Sequence, residues 1–253
     1  MKSWIVPIVT LIGVAGCGEK ADPQDRSEIP EVKVELPIRD GGSPIGFEQL
    51  DDNVKHDTLL IQTTFDLEDG TYLMIASHKL SEEKLNEGDR EAGLRLYHYR
   101  AKPDSTYEII SRSSSANDSW TMFPTFFTDP IEQGSMIILA NYGERNSWGQ
   151  KVIRFSDQGF TDLGYLNVAK IERQGEGEEM ELKHRTIAPH TRISNEGNTL
   201  VFTFDLDEVI LFDDLRGVLD QPIDAGRVQY RWSEAEGMVL YVDGEARRKQ
   251  QPS

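Results

Sequence analysis

The only cysteine of this 253-residue chain, Cys17, is the residue best placed for covalent chemistry. It follows an apolar run from Trp4 to Gly16, and Lys2 precedes that run. A basic start, a short apolar segment and small residues before a cleavage site form the pattern of a secretory signal. Residues 4–16 are too few to cross a hydrocarbon core about 30 Å thick, so the pattern favours export over a membrane span.

The ending Val14-Ala15-Gly16-Cys17 resembles the lipobox of bacterial lipoproteins. The resemblance implies that residues 1–16 are a signal peptide and that Cys17 carries a diacylglycerol, often with an N-linked acyl chain such as palmitate. Two or more acyl chains hold a protein stably on a membrane. Because Gly18 replaces the aspartate that commonly retains such proteins in the inner membrane, the resemblance also implies the outer membrane, facing the periplasm or the surface, if the host has two membranes. The alternative is an ordinary signal peptide with Cys17 present by chance.

A second group of candidate residues is the acidic turn that holds Asp66, Glu68 and Asp69. Oxygen ligands at alternate positions are the type that Ca²⁺ prefers. A similar run recurs at Thr203–Glu208, but neither run completes a twelve-residue calcium loop. The pattern therefore predicts either a calcium site or carboxylates that simply face water, and it indicates no other cofactor.

Motifs for catalysis are missing from the sequence. It has no His-Glu-x-x-His, no Gly-x-Ser-x-Gly, no phosphate loop and no dinucleotide glycine fingerprint. Ser81 and Lys84 fit the Ser-x-x-Lys motif of penicillin-recognising enzymes, but the companion motifs of those enzymes are missing. The five histidines are dispersed along the chain. We therefore assign no catalytic residue.

The richest candidate binding region is 120–148, where aromatic residues lie among prolines and glycines. Aromatic side chains with polar tips are common binding anchors. Trp120, Tyr142 and Trp148 are predicted to contact a ligand, since polar residues flank both tryptophans. The phenylalanines of the region are predicted to be core residues: Phe123, Phe126 and Phe127.

The charge of the chain restricts its partners. Its formal net charge is −17, and removal of residues 1–16 takes away Lys2 and makes it −18. A protein with this negative charge does not favour binding to nucleic acid or to an anionic lipid surface. We expect contact with a membrane through the lipid anchor and a partner that is another envelope protein or a glycan.

Four segments are predicted from composition. After the signal peptide 1–16, residues 17–45 are rich in proline, glycine and charge, as in a flexible tether that would span roughly 30 Å. Residues 46–246 form a folded domain, and 247–253 a disordered tail. Within the tether, Glu31–Leu36 alternates apolar and charged residues like a strand, and we expect it to complete a sheet of the domain.

Apolar residues of the domain recur mainly with the two-residue period of β-strands, so the domain is predicted to be all-β and antiparallel. Helices are suggested only at Glu82–Asn86 and Glu176–Lys183. Short alternating runs predict nine strands: Leu59–Thr64, Tyr72–Ser77, Leu94–Tyr99, Tyr107–Ser111, Met136–Asn141, Lys151–Phe155, Thr199–Phe204, Val209–Phe212 and Met238–Val242.

A repeat is visible when the chain is aligned on Gly70, Gly134, Gly197 and Gly237. Each glycine is predicted to take a positive φ at a hairpin turn. In the first three units, apolar residues three and five positions later are predicted to face the core, and a further strand follows. In the fourth unit the predicted core pair, Val239 and Tyr241, comes one residue early.

The segment Arg192–Phe202 resembles the Ser-x-Asp-Gly turn of TolB-type β-propellers, with glutamate in place of the aspartate. The resemblance implies a propeller-like fold of about four or five irregular blades, since one blade takes about 40–50 residues. A β-sandwich or barrel is the alternative. For function we expect a lipid-anchored envelope protein with a non-catalytic binding or scaffolding domain. The alternative is an enzyme that acts on envelope glycan or another carbohydrate.

Overall fold

The computed structural model describes residues 41–50, 58–78, 93–102, 107–115, 122–141, 149–175, 181–212 and 222–247. These residues belong to one compact unit, Leu36–Ser253. They form nineteen strands in four antiparallel sheets, so the predicted all-β class is confirmed. No helix among them is long and apolar enough to span a membrane. The predicted strand Glu31–Leu36 and the predicted helix Glu82–Asn86 lie outside the described residues.

The first sheet is a meander of strands that are adjacent in sequence, and the second is also one except for its first strand, which pairs with a strand far along the chain. The first sheet has the order β2-β3-β4-β5-β6 and the second the order β1-β7-β8-β9-β10. Their strands are β1 (Pro44–Ile45), β2 (Gln49–Leu50), β3 (Leu59–Asp66), β4 (Tyr72–His78), β5 (Arg95–Ala101), β6 (Tyr107–Arg112), β7 (Pro124–Thr128), β8 (Met136–Asn141), β9 (Gln150–Ser156) and β10 (Gly159–Leu166).

The other two sheets interleave along the chain. The third sheet has the order β12-β11-β15-β16 and the fourth the order β13-β14-β17-β18-β19. Their strands are β11 (Val168–Gln174), β12 (Glu181–Arg185), β13 (Thr191–Glu196), β14 (Thr199–Phe204), β15 (Glu208–Leu211), β16 (Pro222–Asp224), β17 (Val228–Ser233), β18 (Gly237–Val242) and β19 (Glu245–Arg247).

All nine predicted strands coincide with observed ones to within two residues at each end. The suggested helix Glu176–Lys183 is wrong in its described part, because residues 181–183 begin β12 and pair with β11. The repeat also breaks in its third unit. There the strand after β14 is β15, but β15 pairs with β11 of the third sheet, while β17 occupies the edge of β14.

The four predicted glycine turns are confirmed. Gly70, Gly134, Gly197 and Gly237 all have a positive φ, between 62° and 81°. The residues three and five positions after the first three glycines are buried, as predicted. The fourth unit follows the same spacing, because its core residues are Leu240 and Val242. Val239 and Tyr241, the predicted core pair there, alternate with them along β18 and therefore face the other side of the sheet.

The second sheet is a central layer that is buried on both faces. Met136, Ile138 and Ala140 of β8 pack in one core cluster with residues of the first sheet, including Leu73. Ile137 and Leu139 alternate with them along the strand and pack in another cluster with residues of the third and fourth sheets. The opposite face of the first sheet holds its own cluster around Met74, Tyr97 and Tyr99. The sheets therefore stack face to face.

The N-terminal part of the described chain connects three sheets. β1 pairs with β7 of the second sheet, and β2 pairs with β3 of the first. Just before β1, Gly42 has φ +80°, and a Cβ atom there would lie 1.7 Å from the carbonyl oxygen of Ile193 in the fourth sheet. Only glycine fits this approach. The last residues of the predicted tether, 41–45, thus belong to the fold.

Candidate functional site

Of the aromatic residues predicted in region 120–148, the structure describes only the three phenylalanines. Trp120, Tyr142 and Trp148 lie outside the described residues, as does Cys17. Phe126 and Phe127 are buried on opposite faces of β7, which confirms their predicted core role.

Phe123 was predicted to be a core residue, and this prediction is wrong because its side chain is 70% exposed. The residue precedes β7, and its N–H donates to Asn141 Oδ1 at 2.6 Å. This bond fixes the backbone at the end of the sheet while the ring stays in solvent. An exposed aromatic ring in this position is a candidate contact for a partner.

The carboxylates predicted to bind calcium stabilise a local turn. Asp66 Oδ1 accepts the N–H of Glu68 at 2.8 Å. Asp69 Oδ1 accepts both the N–H of Thr71 at 2.8 Å and its hydroxyl at 2.6 Å. Within the described residues, no group of three or more His, Cys, Asp and Glu side chains is arranged to hold a metal ion. The calcium site at Asp66, Glu68 and Asp69 stays a prediction without geometric support.

One polar cluster that the sequence did not indicate lies between the first and second sheets. Lys151 Nζ donates to Ser114 Oγ and, at 3.1 Å, to the carbonyl oxygen of Ser115. Asp162 Oδ2 lies 3.1 Å from the same amine and accepts the Ser114 hydroxyl at 2.6 Å. A serine beside a lysine can act as a nucleophile with its base. Here both donors are directed at a carboxylate, so the cluster acts as an ion pair that ties the chain after β6 to β9 and β10.

A cavity of about 660 Å³ lies where the end of β10 meets the fourth sheet. We call it the β10–β18 pocket. Its volume falls within the range of small-molecule sites. It is lined by Gly164, Tyr165, Asn167, Tyr230, Ala235, Glu236, Met238, Val239, Leu240 and Arg247.

Strand register positions one wall of the β10–β18 pocket. Tyr230 of β17 pairs with Leu240 of β18, and Leu240 pairs with Arg247 of β19. Residues that are directly opposite on neighbouring strands share a face of the sheet, so these three side chains form one row. The row begins in the core at Tyr230, which is buried, and reaches the sheet edge at Arg247.

A β-bulge positions the opposite wall. The register of β10 shifts between Asp162 and Gly164, and Gly164 has φ +123°. A Cβ atom at Gly164 would lie 2.7 Å from Met238 Cβ, so only glycine lets β10 approach β18 this closely. Beyond the bulge, the N–H of Asn167 donates to the Tyr230 hydroxyl at 3.1 Å, which joins the two walls.

The electrostatic centre of the β10–β18 pocket is Arg247. Its Nε and Nη1 atoms are buried and have no hydrogen-bond partner in the described part of the chain. The carboxylate of Asp243, in the turn between β18 and β19, accepts from Arg227 Nε and Nη2 at 2.7 Å each. These bonds lower the pKa of Asp243 and leave both of its oxygens engaged by Arg227. The Arg247 guanidinium therefore keeps unmet donors beside the pocket.

The β10–β18 pocket and the entry of the chain lie at opposite ends of the second sheet. Pro124, Ala140, Lys151 and Tyr165 form the cross-strand row at the pocket end. The row at the other end includes Thr128, whose carbonyl oxygen accepts the N–H of Gly42 at 2.9 Å. The two rows are four residues apart on β8 and β9, or about 13 Å along the strands. The exposed Phe123 is adjacent to the row at the pocket end.

None of the residues predicted to form a site lines the β10–β18 pocket. Two signals in the sequence could have indicated it. Arg247, Arg248 and Lys249 form the only run of three lysine or arginine residues in this acidic chain. Gly164 interrupts an alternating segment, which is typical of a bulge or of a close backbone approach. No family model, no curated protein and no solved structure matches the chain.

Proposed function

We propose that this protein is a lipid-anchored component of the bacterial cell envelope whose β domain binds a ligand or partner without catalysing a reaction. The observation that carries the proposal is the position of the β10–β18 pocket. It lies at the end of the second sheet opposite to Gly42, where the chain that leads back to Cys17 enters the fold. A membrane anchor on Cys17 would thus leave this end, with the exposed Phe123, accessible to other envelope components.

We also propose that the four sheets are irregular blades of a propeller-like arrangement. The face-to-face stacking of the first, second and remaining sheets through two core clusters supports it. Propellers protect their sheet edges by closing the ring. In this chain the strands added to the first and second sheets come from the N-terminal segment, as β2 and β1. The tether would then be joined directly to the edge strands of these two sheets.

The polar cluster around Lys151 favours a structural role over a catalytic one. A catalytic lysine must accept the serine proton, whereas Lys151 Nζ donates to Ser114 and Ser114 donates to Asp162. Its side chain is only 5% exposed, and that of Asp162 is 44% exposed. A buried amine held by a carboxylate and hydroxyl at a sheet junction is well suited to stabilising the fold.

The anchor is tested by mass spectrometry of the protein purified from its membrane fraction, with a Cys17→Ala variant as control. We expect an acylated N-terminal cysteine in the wild type and no lipid in the variant. An unmodified Cys17 thiol in a membrane-free wild-type protein would contradict the proposal.

The binding role is tested by crosslinking in intact cells with the acylated protein. Ala235 is exposed and lines the β10–β18 pocket, so Ala235→Trp should obstruct the pocket without disturbing the core. Glu234→Trp, in the same turn, is the matched control because Glu234 does not line the pocket. We expect Ala235→Trp alone to reduce the recovery of crosslinked envelope components. Equal recovery from both variants would argue against the pocket.

A further inference from the structure

We propose that the β10–β18 pocket binds a small organic carboxylate and that Arg247 recognises its negative charge. The inference rests on the proposed binding function and names the class of ligand. It starts from the two buried guanidinium atoms of Arg247, Nε and Nη1, which have no partner in the described part of the chain. Buried donors without acceptors are costly, and hydrogen bonds from a guanidinium to an anion are among the strongest in proteins.

No group in the described part of the chain accepts a hydrogen bond from Arg247 Nε or Nη1. Asp243 is engaged by Arg227 through both of its oxygens. The residue opposite Arg247 on β18 is Leu240, whose side chain offers no acceptor. The Arg247 side chain therefore lines the pocket as a cation that a ligand can neutralise.

The other residues that line the pocket indicate the chemistry of the uncharged part of the ligand. Tyr230, Leu240 and Met238 form an apolar wall along the fourth sheet, and Tyr165 lies on the β10 side. Pockets of this kind hold the apolar part of a ligand, while a small number of polar groups fix its orientation. An aromatic or aliphatic group beside the carboxylate suits this wall.

The surrounding charge favours a monoanion. Glu236 also lines the pocket, and the whole chain carries a formal charge of −17. The negative electrostatic potential of these groups disfavours binding of ligands with several negative charges, such as polyphosphates. One carboxylate is the anion that a single arginine neutralises in such surroundings.

The experiment measures binding of N-acetylphenylalanine and of its neutral amide to the full-length lipidated protein in detergent. With about fifteen non-hydrogen atoms, the acid should bind with a dissociation constant of about 1 mM. The amide should bind about ten- to a hundredfold more weakly, because it lacks the charge that Arg247 recognises. The two probes have the same shape, so any effect of the detergent on them is closely matched.

The variants Arg247→Gln and Arg192→Gln complete the test. Arg247→Gln should abolish the preference for the acid over the amide. Arg192→Gln, at an exposed arginine paired with Asp205 away from the pocket, should leave the preference intact. Absence of saturable binding of the acid, equal binding of the two probes, or a preference that persists in Arg247→Gln would each overturn the inference. Acylation of Cys17 is measured separately by mass spectrometry. An unacylated Cys17 would refute the proposed anchoring but would not change the outcome of the binding experiment.

Discussion

Replacement of Arg154 by methionine should destabilise the domain strongly, because it leaves a buried carboxylate without its counter-ion. The side chain of Asp129 is 0% exposed, and its Oδ2 accepts from Arg154 Nε at 2.6 Å. Its Oδ1 accepts the backbone N–H groups of Ile131 at 2.8 Å and Glu132 at 3.1 Å. Arg154 also lies over the ring of Trp232, 5.0 Å from its centroid, and so connects β9 to the fourth sheet.

Removal of one partner of a buried ion pair costs about 3–5 kcal/mol of unfolding free energy. For a domain of about 200 residues, each kcal/mol lowers the melting temperature by about 2–4 °C, so we expect a decrease of about 6–20 °C. The assay is thermal unfolding of the full chain followed by circular dichroism. Addition of Asp129→Asn to Arg154→Met should restore part of the loss, because the neutral amide avoids the buried charge.

The matched control is the exposed pair Arg192–Asp205, whose side chains are 69% and 66% exposed. Exposed pairs contribute little to stability, so Arg192→Met should leave the melting temperature nearly unchanged. A melting temperature of Arg154→Met within about 2 °C of the wild type would refute the reasoning, since that shift corresponds to a loss of about 1 kcal/mol or less.

Three further predictions concern the N-terminal segment, a half-buried histidine and the acidic turn. Gly42→Ala should lower the free energy of unfolding by more than the about 1–2 kcal/mol that a positive φ alone costs, and thermal unfolding should show the loss. Gly46→Ala, with no atom within 4 Å of its added Cβ, should not lower it. Burial lowers the pKa of His98 in the folded state below the value of about 6.5 expected when unfolded, so the folded protein binds fewer protons. Its contribution to stability should therefore be lost as the pH falls below about 6.5, and thermal unfolding of His98→Gln should show a weaker pH dependence than the wild type. Calcium chloride should not shift the melting temperature, because Asp69 is engaged by Thr71; a calcium-dependent increase that Asp69→Asn removes would instead support the calcium prediction.

Much of the strand content could be predicted because alternation and turn chemistry are local. Met136–Asn141 and Thr199–Phe204 were predicted with their observed bounds. The glycine turns before them require a positive φ, which few other residues adopt. Strands without clear alternation were missed, such as β10, whose register shifts at the bulge between Asp162 and Gly164. At Glu181–Arg185, the charged composition suggested a helix, but pairing with β11 produced a strand.

The sequence by itself determined the all-β class, the positions of most long strands and the expectation of a lipid anchor at Cys17. Only the tertiary structure decided that β15 joins β11, that β1 and β2 extend two different sheets, and that Arg247 lies in a pocket beside β10. The physical reason is the range of the interactions. A side-chain period and a turn are set by a few adjacent residues, whereas the partner of a strand edge is chosen by burial across the whole fold. The β10–β18 pocket depends on such a long-range choice, because no local pattern specifies that β10 approaches β18 at Gly164 and Met238.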